Sequence, residues 1–394
     1  MNRFGIHKNT LWLMAIYLAI VCSITLRSYV ESTHFVTPDS EFYFRVAENI
    51  NNGKGLIAPE VYPFDGKTPE VHFAVWPVGY PVMIAFVSKI SGLSVLVASK
   101  VINLIFLGFI FLLLHRWFKT DAWFPALYFF SFAKMEVFSY SWSEGAFLFF
   151  VLLLCYWLSQ LDTRLLLLKV IICLVALFFL RYAAVVFFLY VGLFGLYQYY
   201  KGNKKQSFIL IASVVIAIIP CLLYLWNNQI QNGYYSGLER FTPDEMSSWF
   251  AIKSSFVGFI DAFLFASHYF VIKNNLTWIF MLFTTLQLLF YVFLWLRRKS
   301  IMQPFFNQTA WIMLSMGFVY LIFVGVLQRL HACSYFDYRI LAPFSTLLFV
   351  VLFWSISQSK QPDFFEKTKR YIIGFMLICY LMNLPKWYLI DLVF

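Results

Sequence analysis

The chain has 394 residues, of which 61% are hydrophobic, 22% are aromatic and only 12% are charged. A soluble domain is ordinarily about half apolar and about a quarter charged, so this composition excludes an ordinary soluble protein. The formal net charge of +11 at pH 7 does not indicate a nucleic-acid partner, because the basic residues gather in short connections between apolar runs. The six cysteines are scattered without a CxxC pair and predict no disulfide framework.

Apolar runs of about 16–23 residues recur along the chain, and each approaches the length that a helix needs to cross about 30 Å of hydrocarbon. In lipid every backbone N–H and C=O must be paired internally, which leaves helices or closed barrels. The runs do not alternate, so we predict an all-α polytopic membrane protein that forms a single domain over residues 1–394. The predicted spans are 11–29, 94–115, 121–138, 145–160, 166–181, 183–200, 206–227, 276–296, 305–327, 340–358 and 371–390.

The first run has Arg3 and Lys8 ahead of it and no cleavage site after it, so we interpret it as a retained first helix. With the N-terminus in the cytoplasm, every dense basic cluster falls on the cytoplasmic side, as the positive-inside rule requires. This orientation predicts about eleven spans in the inner membrane and a C-terminus outside. Most acids then lie near the outer face, where we expect the chemistry. The two long loops on that face are 30–93 and 228–275.

The stretch after the first span reads TPDSEFYFRVAENINNGKGL (37–56). Thr37 can cap a helix, Pro38 suits its first position, and Asp39 complements the positive helix end. Apolar residues follow at helical spacing, so we predict a short amphipathic helix on the outer leaflet. An acid in a first turn is ordinarily a dipole partner. The spacing alone therefore leaves Asp39 open between helix stabilisation and catalysis.

A second amphipathic segment follows WPVGYP (76–81), where two prolines and a glycine predict a rigid turn. The segment itself, YPVMIAFVSKI (80–90), is too short to cross a bilayer. A longer stretch at 256–272 would place the basic cluster at 297–299 outside if it crossed. We therefore predict that both segments lie along the outer interface.

Three charged residues stand at predicted outer helix ends: Glu144 in SYSWSEGAF, Arg181 in LRYAA and Arg339 in YFDYRILAP. An arginine at mid-bilayer costs about 2.5–3.5 kcal/mol on insertion scales, whereas one at a helix end reaches the interface at little cost. Two outer guanidinium groups also match the geometry of a phosphate. The residues alone leave open a phosphate clamp or two snorkelling arginines. Glu144 is open between a substrate contact and a helix-start acid that faces interfacial water.

The six histidines form no HExxH or other metal-ligand spacing, and the chain has neither a P-loop nor a G-x-S-x-G element. Glu70 and His72 could contribute to a site assembled in space. We therefore assign no cofactor and leave a divalent metal open.

Taken in order, PDSEFYFRVAENINNGKGL, WPVGYPVMIAF, SEGAFLF, LRYAA and YRILAP resemble the GT-C superfamily of integral-membrane glycosyltransferases. The chain is most similar to the bacterial protein-mannosyltransferase-like branch of glycosyltransferase family 39. The family's first-loop pattern, its Pro-x-Gly-Tyr-Pro element and its later acid match positions of this chain. The matching residues are Asp39, Ser40, Tyr43, Ala47, Gly53 and Gly55, then Pro77, Gly79, Tyr80 and Pro81, then Glu144.

The resemblance implies a polyprenyl-phosphate sugar donor, an extracytoplasmic acceptor and Asp39 as the catalytic base. It places Tyr43, Tyr80, Glu144, Arg181 and Arg339 among the substrate-binding candidates, beside membrane lipids as partners. One direct displacement would invert the anomeric configuration. A base held on the leaflet surface would lie at the depth of the donor phosphate, and the arginines would stabilise that leaving group.

The chain departs from the dedicated protein O-mannosyltransferases, which carry Asp-Glu rather than Asp39-Ser40 in the first loop and an inserted soluble domain. These differences leave a glycolipid, a polysaccharide or a protein as the acceptor. Three other functions stay open: a translocator of lipid-linked sugars, a polysaccharide polymerase and a structural membrane subunit. A translocator would predict charged residues buried in mid-span and helices broken by Gly or Pro.

Overall fold

The computed structural model describes residues 8–60, 62–64, 66–237, 248–266, 277–298, 307–330, 337–358 and 362–384. Within these ranges the chain forms α-helices, three short 3-10 turns and one two-stranded sheet. The helices are α1 (Lys8–Val30), α2 (Pro38–Asn51), α3 (Gly79–Ser91), α4 (Val95–Phe118), α5 (Trp123–Ala126), α6 (Phe132–Ser139), α7 (Glu144–Leu158), α8 (Leu166–Leu180), α9 (Val185–Tyr200), α10 (Lys204–Asn232), α11 (Ser248–Phe263), α12 (Thr277–Leu296), α13 (Gln308–Leu330), α14 (Ala342–Ser357) and α15 (Pro362–Met382). The 3-10 turns are Lys119–Asp121, Leu127–Phe130 and Tyr182–Ala184, and the strands are β1 (Ile57–Pro59) and β2 (Glu70–His72).

The predicted all-α polytopic membrane class is confirmed. Five helices of the described chain are long and apolar enough to cross a membrane, and the bent pair α6 and α7 would make a sixth. Helix length and composition therefore do not support the full number of about eleven predicted spans. One reason is that the predicted spans at 166–181 and 340–358 correspond to helices of only 15 and 16 residues. The last predicted span extends beyond residue 384, outside the described residues.

The predicted span at 121–138 is not one helix. It divides into a 3-10 turn, α5, a second 3-10 turn and α6. Pro125 has no N–H to donate, and Ser131 has an extended backbone that ends the second turn and starts α6. Helices α6 and α7 then meet at 117°. Two side chains of α4 bind the carbonyls at this bend, since Lys100 Nζ donates to Ser139 O and Asn103 Nδ2 to Tyr140 O, both at 2.6 Å.

The first predicted outer loop, 30–93, forms an ordered layer between α1 and α4. Helix α2 starts after Thr37 and ends before Gly53, whose positive φ of 73° suits glycine. Strands β1 and β2 pair antiparallel, with Ala58 opposite Val71. Helix α3 packs against α2 and α4, so the loop lies on the helix bundle.

Helices α7 and α14 lie in the interior of the bundle, because most of their residues are buried. Helix α7 packs against α4, α8, α13 and α14. Helix α10 lies at the periphery and exposes large aliphatic side chains, as a lipid-facing helix does. The second predicted outer loop, 228–275, is described at 228–237 and 248–266. Helix α11 includes the first residues of the interfacial segment predicted at 256–272. The position of both interfacial segments in a bilayer stays a prediction.

Candidate functional site

A cavity of about 450 Å³ opens where α2, the segment before α3, the end of α8, α13 and the turn before α14 meet. One wall is polar and includes two carboxylates and two guanidinium groups. The other wall is aromatic and aliphatic. The polar lining is Asp39, Tyr43, Ser143, Arg181, Gln328, Asp337 and Arg339, and the remaining lining includes Val75, Trp76, Leu180, Tyr182, Tyr320, Val324 and Leu327.

A chain of ion pairs crosses the polar wall, and Arg339 is at its centre. Arg339 Nη1 donates to Asp39 Oδ2 at 2.5 Å, and Arg339 Nε donates to Glu144 Oε1. Arg181 Nη1 donates to the same oxygen of Glu144. Four distant segments therefore meet at one point. Each of these residues was predicted at a helix end, and the structure brings all four together.

The carboxylate of Glu144 accepts hydrogen bonds from both arginines behind the cavity. Its side chain is 2% exposed, whereas those of Arg181 and Arg339 are 22% and 18% exposed. Glu144 opens α7, where the helix dipole favours a carboxylate. It does not line the main cavity but a smaller space behind it. The structure therefore gives Glu144 a positioning geometry, with two guanidinium groups between its carboxylate and the cavity.

Local backbone structure presents the two arginines. Arg181 is the C-cap of α8 and has an extended backbone, so the chain leaves the helix at this residue. Arg339 lies in the turn before α14. That turn is closed by Asp337, whose Oδ1 accepts the backbone N–H of Ile340 at 2.8 Å. A helix end and a side-chain-stabilised turn thus place both guanidinium groups at the cavity.

Burial changes the protonation behaviour of the groups in this wall. Burial raises the pKa of Asp337 above that of a free aspartate, so this carboxyl keeps its proton to a higher pH. Burial likewise raises the pKa of Tyr43, whose phenol stays neutral. The wall can therefore offer hydrogen-bond donors to an anion.

Tyr80 lies behind the cavity and does not line it. Its side chain is fully buried, and its hydroxyl donates to Asn103 Oδ1 at 3.2 Å. Its ring packs edge-to-face against Tyr43, with centroids 5.2 Å apart. Tyr80 therefore packs against Tyr43, which lines the cavity, and a contact between Tyr80 and a substrate stays a prediction.

The glycine of the Pro-x-Gly-Tyr-Pro element allows a close approach. A Cβ at Gly79 would lie 2.5 Å from the carbonyl oxygen of Phe179, two residues before Arg181. Only glycine permits this contact without a backbone shift. Gly79 therefore sets how closely α3 approaches the end of α8 that carries Arg181.

Four residues that were not among the predicted site residues also lie in or behind the site: Asn103, Trp142, Tyr320 and Asp337. Asp337 had a signal, because it lies two residues before Arg339 in the same motif. Asn103 and Tyr320 had none, since a polar residue or a tyrosine within an apolar run does not show which face it occupies.

The suggested metal pair has other partners. Glu70 accepts from Arg45 Nε at 2.6 Å and from Asn49 Nδ2 at 3.1 Å. His72 Nε2 lies 3.2 Å from Asn228 Oδ1. In the part of the chain that the structure describes, no group of three or more His, Cys, Asp or Glu side chains could hold a metal ion.

No protein-family model matches the chain, and no curated protein matches it. Its fold is similar to that of ArnT from Cupriavidus metallidurans bound to undecaprenyl phosphate, with a TM-score of 0.57 and 11% sequence identity over 91% of this chain and 61% of that chain. The apo structure of ArnT gives a TM-score of 0.56, 11% identity, and 91% and 62% coverage. The chain thus spans less than two thirds of the length of the solved structures it matches, and what it shares with them is the fold of a membrane protein.

Proposed function

We propose that the chain is a GT-C-type membrane glycosyltransferase, of the family-39-like branch, that transfers a sugar from a polyprenyl-phosphate donor to an extracytoplasmic acceptor. The observation that carries this proposal is the convergence of Asp39, Arg181 and Arg339 on one cavity. A carboxylate beside two guanidinium groups provides a base and an anion site together. The fold shared with ArnT, which was solved with undecaprenyl phosphate, supports a lipid phosphate as the donor group.

Arg181 and Arg339 bind the donor phosphate in this proposal. Glu144 fixes one nitrogen of each guanidinium, which limits the motion that binding must stop. The other nitrogens donate to phosphate oxygens, including Arg339 Nη1, which Asp39 binds in this structure. Bidentate donation also stabilises the lipid phosphate as the sugar departs. Neutral Tyr43 stands in the same wall as an additional donor.

Arrival of the phosphate also frees the base. In the structure the carboxylate of Asp39 is paired with Arg339 at 2.5 Å. A phosphate that takes up the N–H groups of Arg339 releases this carboxylate toward the acceptor. Asp39 then accepts the hydroxyl proton while the acceptor oxygen bonds to the anomeric carbon and the carbon–phosphate oxygen bond breaks. This single displacement inverts the anomeric configuration.

The acceptor is a glycolipid, a polysaccharide or a protein in this proposal. Two neighbouring functions would use the same lipid-linked substrate. A translocator leaves the bond between sugar and phosphate intact, so a base in the cavity has no role. A polysaccharide polymerase also releases the lipid carrier but extends a glycan with its own repeating unit.

Incubation of the purified protein with undecaprenyl-phosphate-linked sugars and an envelope extract tests the proposal. We expect free undecaprenyl phosphate to appear together with a labelled acceptor, whose mass identifies its class. Intact donor after incubation, with donor found on the opposite leaflet of vesicles, would favour the translocator. A ladder of repeating units would favour the polymerase.

The proposed orientation places the cavity outside the cytoplasm, in the inner membrane. A cysteine introduced at the exposed Lys54, in the first loop, should react with a membrane-impermeant thiol reagent on intact cells. A cysteine at the exposed Lys201, between α9 and α10, is the matched control and should react only after permeabilisation. The reverse pattern would contradict the orientation.

A further inference from the structure

We infer that Trp142 is a positioning residue that couples the base Asp39 to the phosphate-binding Arg339, an inference that rests on the proposed function. Trp142 lies in the bend between α6 and α7, two residues before Glu144. Its side chain is buried at 5% exposure. Its ring face contacts Arg339, and its indole N–H contacts Thr37, the N-cap of the helix that carries Asp39.

The ring face of Trp142 holds the guanidinium of Arg339. The central carbon of the guanidinium lies 4.3 Å from the ring centroid, which is a cation–π distance. The ring of Tyr140 stacks on Trp142 at 4.0 Å with an interplanar angle of 8°. Because two groups cannot occupy the same face at these distances, Trp142 lies between Tyr140 and Arg339. The bend around Tyr140 is fixed in turn by Asn103.

The indole N–H of Trp142 reaches the start of α2. Trp142 Nε1 donates to Thr37 Oγ1 at 2.8 Å. Thr37 is the N-cap of α2, and its backbone N–H donates to Ser40 Oγ at 3.2 Å. Asp39 lies in the first turn, two residues after this cap. A fixed Thr37 therefore fixes the point from which the carboxylate of Asp39 enters the cavity.

This arrangement has a consequence for the exchange of partners at Arg339. When a phosphate replaces Asp39 on Arg339, the ion pair no longer holds the base and the clamp together. Trp142 still links the two, because it contacts the guanidinium of Arg339 with its ring face and the N-cap Thr37 with its N–H, and neither contact involves the carboxylate of Asp39. Glu144 and Trp142, both supplied by one bend, keep the plane of Arg339 while its partner changes.

Two contacts can be removed separately. Trp142→Phe keeps an aromatic face but removes the N–H, so we expect kcat to fall about 2- to 12-fold, the effect of one hydrogen bond, with donor affinity unchanged. Thr37→Val removes the acceptor and should give the same fall, and Thr37→Ser should recover the rate. The double variant should lose no more than either single variant, since both remove the same contact.

Trp142→Leu also removes the cation–π contact and should weaken binding of undecaprenyl phosphate about 2- to 30-fold.

Trp157→Phe is the matched control. Trp157 lies near the other end of α7, and Lys169 Nζ stands 4.1 Å from its ring centroid. This variant loses an indole N–H at the end of α7 that is remote from the bend, and it should change neither kcat nor affinity. Thermal stability measured on each variant identifies any that fail to fold, in which case the Thr37 pair carries the test.

The readouts are binding of undecaprenyl phosphate and sugar transfer by the full-length protein. Wild-type protein that neither binds nor transfers would overturn the proposed function. Wild-type protein that does both, beside Trp142→Phe and Thr37→Val variants with wild-type kcat, would overturn this inference alone. A kcat loss that Thr37→Ser restores, without a change in affinity, supports it.

Discussion

Two groups of buried charge in this protein use the same residue types and differ in what faces them. Arg27 of α1 pairs with Glu136 of α6, and the two side chains are only 8% and 9% exposed. The guanidinium of Arg27 also lies over Phe35, 4.8 Å from the ring centroid. Arg339 also forms ion pairs, in its case with the two carboxylates of Asp39 and Glu144, but it lines an open cavity. The first arginine is enclosed by protein, and the second has an open side.

Lys134 of α6 is a second basic side chain that is enclosed by protein. Its Nζ is buried and donates to Ala342 O at 3.1 Å, to Ser345 Oγ at 3.3 Å and to Thr346 Oγ1 at 2.9 Å. These bonds join α6 to the first turn of α14 and use all three N–H groups of an ammonium ion. A cation buried in a membrane protein is therefore not by itself evidence of a ligand site. The open side of Arg181 and Arg339 is what distinguishes them.

The largest effect on stability is expected from breaking the enclosed pair. Arg27→Met leaves Glu136 buried without its partner, which costs about 3–5 kcal/mol. The thermal midpoint in detergent should fall, while the folded fraction should bind undecaprenyl phosphate as the wild type does. Replacing both residues with apolar ones should recover most of the loss. A weakened affinity for undecaprenyl phosphate in the folded fraction would contradict the distinction between the enclosed pair and the arginines of the cavity.

The open arginines should show the opposite pattern. Arg181→Ala or Arg339→Ala removes a charge-assisted contact of about 1.5–3 kcal/mol, or roughly 10- to 150-fold in donor affinity. Lysine at either position should also weaken binding, because it cannot donate in a bidentate manner. Affinity for undecaprenyl phosphate is the measurement. Unchanged affinity in both alanine variants would leave these residues as helix-end arginines.

A smaller effect is expected where the backbone positions one of these arginines. Gly79→Ala would force a Cβ against the carbonyl oxygen of Phe179, and such overpacking costs about 1–3 kcal/mol. The displaced end of α8 should also weaken donor binding through Arg181. Gly192→Ala on α9 is the control, since its Cβ would meet nothing within 4 Å. Equal thermal midpoints and affinities for the two variants would contradict the close-approach argument.

The smallest effect is expected for a pair open to solvent. Arg45 and Glu70 bond at 2.6 Å, but the arginine side chain is 41% exposed. Exposed pairs contribute at most about 1 kcal/mol. Arg45→Met should therefore shift the thermal midpoint little and leave donor affinity unchanged. A loss as large as that of Arg27→Met would show that burial does not rank these pairs.

Local features of the structure could be predicted from the sequence. Thr37, Pro38 and Asn52-Gly53 are local signals, and α2 begins and ends where they predict. The boundaries of α4 and α9 likewise follow apolar runs. The predicted span at 121–138 was wrong because it contains 3-10 turns and the extended residue Ser131. The bend that follows it depends on α4 side chains that bind the carbonyls of Ser139 and Tyr140. Hydropathy averages over such a break.

The pairing within the site could not be predicted either. Asp39 and Arg339 are separated by 300 positions, and periodicity carries no information about such a contact. The sequence predicted Asp39, Glu144, Arg181 and Arg339 at helix ends but not that Glu144 binds both arginines. The sequence signal of Tyr80 does not distinguish a residue that packs behind Tyr43 from one that contacts a ligand, and the structure shows the packing.

The Asp39→Asn variant separates the two roles within the site most directly. Asparagine keeps the size of the side chain but cannot accept the proton. It also releases Arg339 from its carboxylate partner. The matched control is Glu41→Gln, which removes a negative charge in the same helical turn from a residue that does not line the cavity. A first-turn acid contributes only about 0.3–1 kcal/mol to stability, so both variants should fold.

The decisive measurement is sugar transfer and undecaprenyl phosphate binding on the same preparation of Asp39→Asn. The account predicts that transfer falls about 10²- to 10⁴-fold, the usual value of a general base, while the phosphate binds as tightly as in wild type or more tightly. Glu41→Gln should change neither quantity by more than about threefold, an effect below 1 kcal/mol. Transfer by Asp39→Asn within that same threefold, or a joint loss of transfer, binding and thermal stability, would contradict the assignment of Asp39 as the base.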